Sequence, residues 1–226
     1  ERCVFSNAPA IGDTRVTQEI CQSLGAKILE DDPRLLIAQT KDITHVEVPE
    51  NLAQQNRLSV MMLAPLLHRA GKAIIPAAGG DRIGVRPVDF HLDGYRKMGA
   101  NITEKDGVYT AETDQLKGAE ITLAYPSVTT TENLLMAAVL ANGRTFIHNA
   151  AIEPEIMDLV FFLQKMGAII DYQIDRTFII EGVDTLSGAL HEVIPDRLVA
   201  ESFAVAAIAS KGDLFVRGAQ QADLLT

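Results

Sequence analysis

Cysteine is scarce, basic residues are outnumbered and long apolar runs are missing from this 226-residue sequence. Its two thiols, Cys3 and Cys21, are too few for a disulfide framework and lie at no metal-ligand spacing. They read as reduced, structural residues. Lysine and arginine number 20 against 30 aspartates and glutamates, a formal net charge of −10. That balance argues against a nucleic-acid binder, which needs a basic footprint. It leaves room for a small anionic substrate, because a local cluster of arginines suffices for one. No apolar run approaches the ~18–20 residues of a membrane span. No charged segment followed by an apolar stretch marks a signal peptide, although the chain begins at Glu1 and not at methionine. The five histidines, His45, His68, His91, His148 and His191, show no metal-ligand spacing. Nothing in the sequence points to a metal or another cofactor.

What is present is an internal repeat. Three segments open on short apolar strands: CVFSNAP from Cys3, AIIPAAG from Ala73 and TFIHNAA from Thr145. Each continues into an amphipathic helix that ends on one signal, SLGAKI, KMGANI or KMGAII. The glycines, Gly25, Gly99 and Gly167, lie 74 and 68 residues apart and suit the left-handed position just past a helix. A β-hairpin is predicted after each: KILE with LLIAQ, NITEK with VYTAE, and IIDYQ with TFIIE. A second set of helices, predicted at 52–70, 131–142 and 198–211, ends at Gly71, Gly143 and Gly212. In the helix from Glu153, Pro154 fits the first position, and Ile156, Leu159, Val160, Leu163 and Met166 share one apolar face. A unit of roughly 70 residues exceeds the ~20–50 of solenoids, so three copies predict a closed α/β domain with pseudo-three-fold symmetry. A fourth unit is expected to open with a strand at Asp213–Arg217. The division expected is therefore a three-repeat domain over 1–195, then a crossover and the start of a second domain over 196–226.

The copies differ most after the opening strand of the second unit. There Gly79-Gly80-Asp81-Arg82-Ile83-Gly84-Val85-Arg86-Pro87-Val88-Asp89-Phe90-His91 gathers two acids, two arginines, three glycines and a histidine. Glycines let backbone amides face an anion. Arginine pairs with phosphate or carboxylate through two hydrogen bonds. A carboxylic acid donates a proton if its surroundings raise its pKa. On composition alone an anion-binding catalytic loop and an ordinary surface loop both remain open.

The loop is similar to the GGC-x-IGARPVDLHL segment of the UDP-N-acetylglucosamine enolpyruvyl transferases. Upstream, RLSVMMLAPLLHRAGKAIIP resembles that family's R-A-S-x-x-x-x-G-P-L segment. Downstream, YPSVTTTENLLMAAVLANGRTFIHNAAIEPEI resembles its PSVGATEN and NAAREPEI segments, and VIPDR its interdomain crossover. The matches run in order along almost the whole chain. The resemblance implies an inside-out α/β barrel of three repeats, in a protein with two such domains. The activity it implies is transfer of the enolpyruvyl group of phosphoenolpyruvate to the 3′-hydroxyl of UDP-N-acetylglucosamine. That is the first committed step of peptidoglycan synthesis, and it takes place in the cytoplasm. The substrates lie between the domains, so this chain alone is expected not to turn over. A Lys-Asn pair, the catalytic aspartate base and further arginines of the family lie outside it.

Roles carry over by position. Asp81 stands where most relatives have a reactive cysteine and is a candidate general acid; family members with aspartate there resist fosfomycin, because a carboxylate traps an epoxide less well than a thiolate. Arg86 matches an arginine that holds the phosphate of phosphoenolpyruvate, and Arg57 matches another active-site arginine. Pro87, Val88, Asp89 and His91 match the segment that cradles the uracil, although Asp89 is equally suited to cap the following helix. Ser127, Val128 and Thr129 match the turn that meets the diphosphate at a helix N-terminus. Asp196 and Arg197 match the crossover. Three departures stand out: Thr129 for a usual glycine, Tyr125 for a lysine found in some members, and Ile152 for a usual arginine. They keep open a non-catalytic, nucleotide-sugar-binding paralogue. The shikimate-pathway enolpyruvyl transferase is a further alternative, but it lacks the uracil-binding loop.

Overall fold

The computed structural model describes residues 1–32, 35–80 and 87–224. In the first unit, strand β1 (Arg2–Ser6) leads to helix α1 (Gly12–Ser23) and the hairpin β2 (Lys27–Asp32) and β3 (Leu35–Gln39). The second unit begins with a short helix α2 (Glu50–Ala53), a 3-10 turn (Leu58–Met62) and helix α3 (Leu63–Ala70). It continues through β4 (Lys72–Pro76), α4 (Asp89–Lys97) and the hairpin β5 (Asn101–Lys105) and β6 (Val108–Glu112). The third runs β7 (Glu120–Thr122), α5 (Val128–Ala138), β8 (Arg144–His148), α6 (Pro154–Lys165), β9 (Ile169–Gln173) and β10 (Thr177–Glu181). Strand β11 (Leu190–Glu192), helix α7 (Arg197–Ser210) and a 3-10 turn (Gln221–Leu224) follow.

Among the described residues the strands form three sheets, ordered β11-β1-β3-β2, β4-β6-β5 and β7-β8-β10-β9. Each hairpin lies antiparallel beside its opening strand, as in Ile75 opposite Tyr109 and Phe178 opposite Ile147. On the other edge of each opening strand sits a parallel partner. For β8 it is β7, for β4 a single bridge between Ile74 and Glu47, and for β1 it is β11. The first strand is thus paired to the last, Val4 with Leu190, which closes the three units into a ring.

Inside that ring run α5, buried on nearly every side, and α3, which leaves Pro65, Arg69 and Ala70 exposed. Leu63, Leu66 and Leu67 of α3 and Leu134, Leu135, Ala137 and Ala138 of α5 are buried. A helix apolar on most of its surface, like α5, belongs in a core. The imidazole of His68 joins the two by bonding the Ala137 carbonyl at 2.7 Å. Helices α1, α4 and α6 bury one face each. Ile156, Val160 and Leu163 form the buried stripe of α6, with Leu159 and Met166 packed against the core, as the spacing predicts.

The repeated helix-end signal has a backbone cause. Gly25, Gly99 and Gly167 hold φ of +111°, +91° and +104°, and Gly71 and Gly143 are likewise left-handed. At the end of α7 the pattern breaks: Lys211, not Gly212, takes the left-handed conformation. The helix predicted over 52–70 is broken into α2, the 3-10 turn and α3. The strand expected at Asp213–Arg217 does not form among the described residues. Among the described residues its backbone pairs with no strand, and an unpaired strand leaves its N–H and C=O groups to water. Helix α7 is apolar yet exposed, with Leu198, Val199, Phe203, Val205 and Ile208 turned to solvent.

Candidate active site

Three segments that carry expected site residues are linked through hydrogen bonds of Arg57 and Asn133. The first is the 3-10 turn with Arg57 just before it. The second is Pro87 and Val88 leading into α4. The third is the N-terminus of α5. The Arg57 guanidinium donates from Nη2 to the Pro87 carbonyl at 3.3 Å, which ties the first segment to the second. Gly79 and Gly80, the start of the loop, lie against the backbone of Gln54–Arg57. The Gly79 amide donates to the Ala53 carbonyl at 2.9 Å, and a Cβ on Gly79 would overlap the Gln54 carbonyl. Gly80 holds φ of +101°. Here the two glycines are required, one by close approach and one by its backbone angle. Asp81 and Arg86, the expected general acid and phosphate-binding arginine, lie outside the described residues.

Asp89 opens α4, and Val88 holds the cap position without a side-chain bond. The capping role offered for Asp89 is therefore not what the structure shows. Its charge in the first turn still complements the helix dipole. Ser127 does cap α5: its hydroxyl accepts from the Thr130 amide at 3.4 Å. Val128 is half-buried and Thr129 exposed, both in the first turn, where unpaired amides suit an anion. Tyr125, 64% exposed, stands beside that helix entrance. Ile152 is half-buried and its amide donates to Glu153 at 2.8 Å.

His91 is buried and lies inside the protein behind the Pro87–Asp89 segment. Its Nδ1 lies 3.0 Å from Nδ2 of Asn133, which also donates to the Val60 carbonyl at 3.1 Å. Asn133 in turn accepts from the fully buried Tyr95 hydroxyl at 2.7 Å. Burial, and secondarily the Arg57 charge, push the His91 pKa down to about 4, so the ring is neutral at pH 7. The Tyr95 phenol is pushed well above its usual range by burial.

A second polar group borders the exit of the chain. A cleft of about 740 Å³ is lined by Leu58, Glu132, Glu155, Asp158, Arg197 and Arg217 among others. Arg197 donates from Nε and Nη2 to the two carboxylate oxygens of Glu155, each at 3.1 Å. Asp196 caps α7 through the amides of Leu198 and Val199. Burial raises the Glu155 pKa, but the Arg197 hydrogen bonds and charge outweigh it, and the carboxyl sits below its usual range. Glu132, one turn from Thr129, is pushed up to about 7 by burial and then by the Glu155 charge. Deeper, His191 bonds Asp158 at 2.9 Å and Lys165 at 3.2 Å. Among the described residues no group of histidine, cysteine and acidic side chains has the arrangement of a metal site.

Sequence reasoning missed Asn133, Tyr95, Glu132 and Glu155 as members of these networks. An asparagine or tyrosine at a core position carries no distinguishing spacing. It also missed the parallel strands β7 and β11. Their signal was legible: Leu116-Lys117-Gly118-Ala119 and Leu186-Ser187-Gly188-Ala189 are one motif used twice. A Cβ on Gly118 would overlap the Arg144 carbonyl, and one on Gly188 the Arg2 carbonyl, at the start of each paired opening strand.

Known proteins bear on this geometry. The family model of EPSP synthase (3-phosphoshikimate 1-carboxyvinyltransferase) matches residues 1–225. The UDP-N-acetylglucosamine 1-carboxyvinyltransferase of Protochlamydia amoebophila (strain UWE25) is 44% identical over 233 residues, covering 100% of this chain and 50% of that protein. The like-named protein of Coxiella burnetii (strain RSA 493 / Nine Mile phase I) is 43% identical over 218 residues, covering 96% and 50%. Among solved structures, the enolpyruvyl transferase NikO from Streptomyces tendae superposes with a TM-score of 0.80 at 21% identity, over 91% of this chain and 49% of that one. EPSP synthase from Acinetobacter baumannii gives 0.70 at 19%, over 91% and 47%. The fold expected from the resemblance, a mixed α/β enolpyruvyl transferase unit, is borne out. The chain spans about half the length of the curated relatives it matches.

Proposed function

Because the chain belongs to the EPSP synthase family of enolpyruvyl transferases, we propose that the full-length protein joins phosphoenolpyruvate to UDP-N-acetylglucosamine. The sugar 3′-hydroxyl gives its proton to a base as its oxygen bonds to C2 of phosphoenolpyruvate, and the C2–C3 double bond becomes single as C3 takes up a proton from an acid. The tetrahedral adduct then loses phosphate, and C3 gives back a proton to restore the double bond. The observation that carries this reading is identity of 43–44% along nearly the whole chain to proteins bearing that activity as their name. The shikimate enzyme, similar in fold at 19% identity, has no comparable support.

In this reading residues 1–195 form the three-repeat domain, and residues 196–226 cross into a second domain. That domain covers the exposed apolar side of α7. Arg57 and Arg86 offset the charge of the phosphate and carboxylate, which are most demanding as charge shifts in the transition state. Asp81 supplies the proton for C3. Pro87, Val88 and Asp89 lie along the uracil, and the buried His91 supports that segment from behind. Ser127, Val128 and Thr129 turn the start of α5 to the diphosphate, using its free amides and positive dipole end. No cofactor is needed. Among the described residues no helix is long and apolar enough to cross a membrane, and we place the reaction in the cytoplasm, at the entry to peptidoglycan synthesis.

The test is phosphate release by the full-length protein given both substrates. Release that depends on UDP-N-acetylglucosamine supports the transferase. No release, with the nucleotide sugar still bound, turns the assignment to a non-catalytic binding protein.

A further inference from the structure

Asn133 has four hydrogen-bonding positions, and the structure fixes how they are used. The Val60 carbonyl can only accept, so the amide nitrogen of Asn133 must face it, 3.1 Å away. That leaves the amide oxygen for the Tyr95 hydroxyl at 2.7 Å. A flipped amide would set oxygen against oxygen at Val60. The second hydrogen on Nδ2 then points at His91 Nδ1, 3.0 Å away, which must offer a lone pair. His91 is therefore neutral with its proton on Nε2, a tautomer set by its partner. The Arg57 charge nearby further disfavours a second proton on the ring.

The elements joined this way are those that carry the expected site. Val60 belongs to the 3-10 turn that follows Arg57, and His91 and Tyr95 belong to α4, which begins after Pro87 and Val88. Asn133 lies in α5, whose first turn holds Val128 and Thr129. The helices also approach closely at Gly94, where a Cβ would overlap the Leu134 side chain. A buried amide with both hydrogens and its oxygen engaged resists sliding, because any shift strands a polar group away from water.

We propose that Asn133 is a positioning residue for the nucleotide-sugar site, holding His91 in one tautomer and fixing the uracil-side and diphosphate-side segments at one separation. The inference rests on the transferase reading above. Asn133 touches no substrate; it acts through His91, Val60 and Tyr95. The cost of disturbing it falls on the nucleotide sugar, which spans both segments, and not on phosphoenolpyruvate.

The experiment uses the full-length protein with Asn133→Asp, Asn133→Leu and Tyr95→Phe. Asp keeps an acceptor for Tyr95 but places a carboxylate against Val60 and His91, which favours a proton on His91 Nδ1. The expected result is a KM for UDP-N-acetylglucosamine raised about tenfold in Asn133→Asp, since a buried bond to a neutral partner is worth about that factor. The KM for phosphoenolpyruvate stays within about twofold. In Asn133→Asp the nucleotide-sugar KM also acquires a pH dependence through the His91 titration that the parent lacks. Tyr95→Phe, which leaves His91 bonded, shows a smaller rise and no such pH dependence. Nitrogen NMR of the parent shows the His91 proton on Nε2.

Equal rises in both KM values would reduce Asn133 to general packing and overturn the proposal. So would a His91 proton on Nδ1 in the parent. If Asn133→Leu does not fold, the Asp and Phe variants and the NMR measurement decide. If the parent itself does not turn over, the transferase reading has failed, and the His91 tautomer still tests the network.

Discussion

Arg197 holds Glu155 through two parallel hydrogen bonds, 3.1 Å each, and so fastens the first residue of α7 to the first turn of α6. The pair joins the closed ring to the helix that leaves it. The Arg197 side chain is only 15% exposed, so solvent screens the contact weakly. Replacing arginine with methionine keeps much of the stem packing and removes both bonds. It leaves a half-buried carboxylate without its cation. A loss of roughly 1–3 kcal/mol in unfolding free energy is expected, as for other charge-assisted bonds. Arg197→Lys should recover less than half of it, because an ammonium cannot bridge both oxygens. Urea denaturation of the three proteins checks this. Equal midpoints for Arg197→Met and the parent would make the bridge ornamental.

Glu132 gives a pH dependence of definite sign. Its folded pKa is raised from 4.5 to about 7, by burial first and by the Glu155 charge second. Between those values the folded protein binds more protons than the unfolded chain. Stability from this group is therefore full below pH 4.5 and is lost as pH rises towards about 7. Glutamine keeps the shape and cannot ionise. Glu132→Gln should match the parent in acid and exceed it above neutrality, by on the order of 2 kcal/mol. His91 contributes with the opposite slope: its pKa is depressed to about 4, so its stabilising effect fades as pH falls from 6.5 towards 4. The difference between Glu132→Gln and the parent cancels that common background. A difference that is flat in pH would sink the assignment of the raised pKa.

The repeat was legible because each unit meets the same backbone demands. Gly25, Gly99 and Gly167 are left-handed, and the three hairpins pair as the alternation in VYTAE and TFIIE requires. The closing pair β1 and β11 was not read: three residues such as Leu190–Glu192 are too few to show a period, and the only mark was the Leu-x-Gly-Ala motif before them, shared with β7. The strand expected at Asp213–Arg217 failed for the converse reason: its pattern is strand-like, but pairing is a property of neighbours. In the site, Ser127 came from the resemblance, as part of the turn before a helix; that its hydroxyl caps α5 is a finding of the structure. Asn133 and Tyr95 were not, since a buried polar residue is recognised only by the partners that reach it from other elements. Asp89 shows the limit of local logic, as the chain begins α4 with it instead of capping with it.

Under the proposed function, the residue at position 81 decides how the full-length protein meets an epoxide. The family resemblance implies that fosfomycin alkylates the cysteine most relatives carry where Asp81 stands in the sequence. A thiolate opens an epoxide readily, whereas a carboxylate is a weak nucleophile and is quenched by protonation if it serves as an acid. The parent should release phosphate in the presence of fosfomycin at nearly its uninhibited rate. Asp81→Cys should become sensitive, with inactivation that deepens over time and a mass gain of one inhibitor on the protein. The rate of labelling should climb with pH as the thiol ionises. Inactivation of the parent, with the adduct mapped to Asp81, would refute the argument from nucleophilicity. A Cys variant that stays active and unlabelled would show that position 81 does not face the phosphoenolpyruvate site, and the proton for C3 would then have to come from another group.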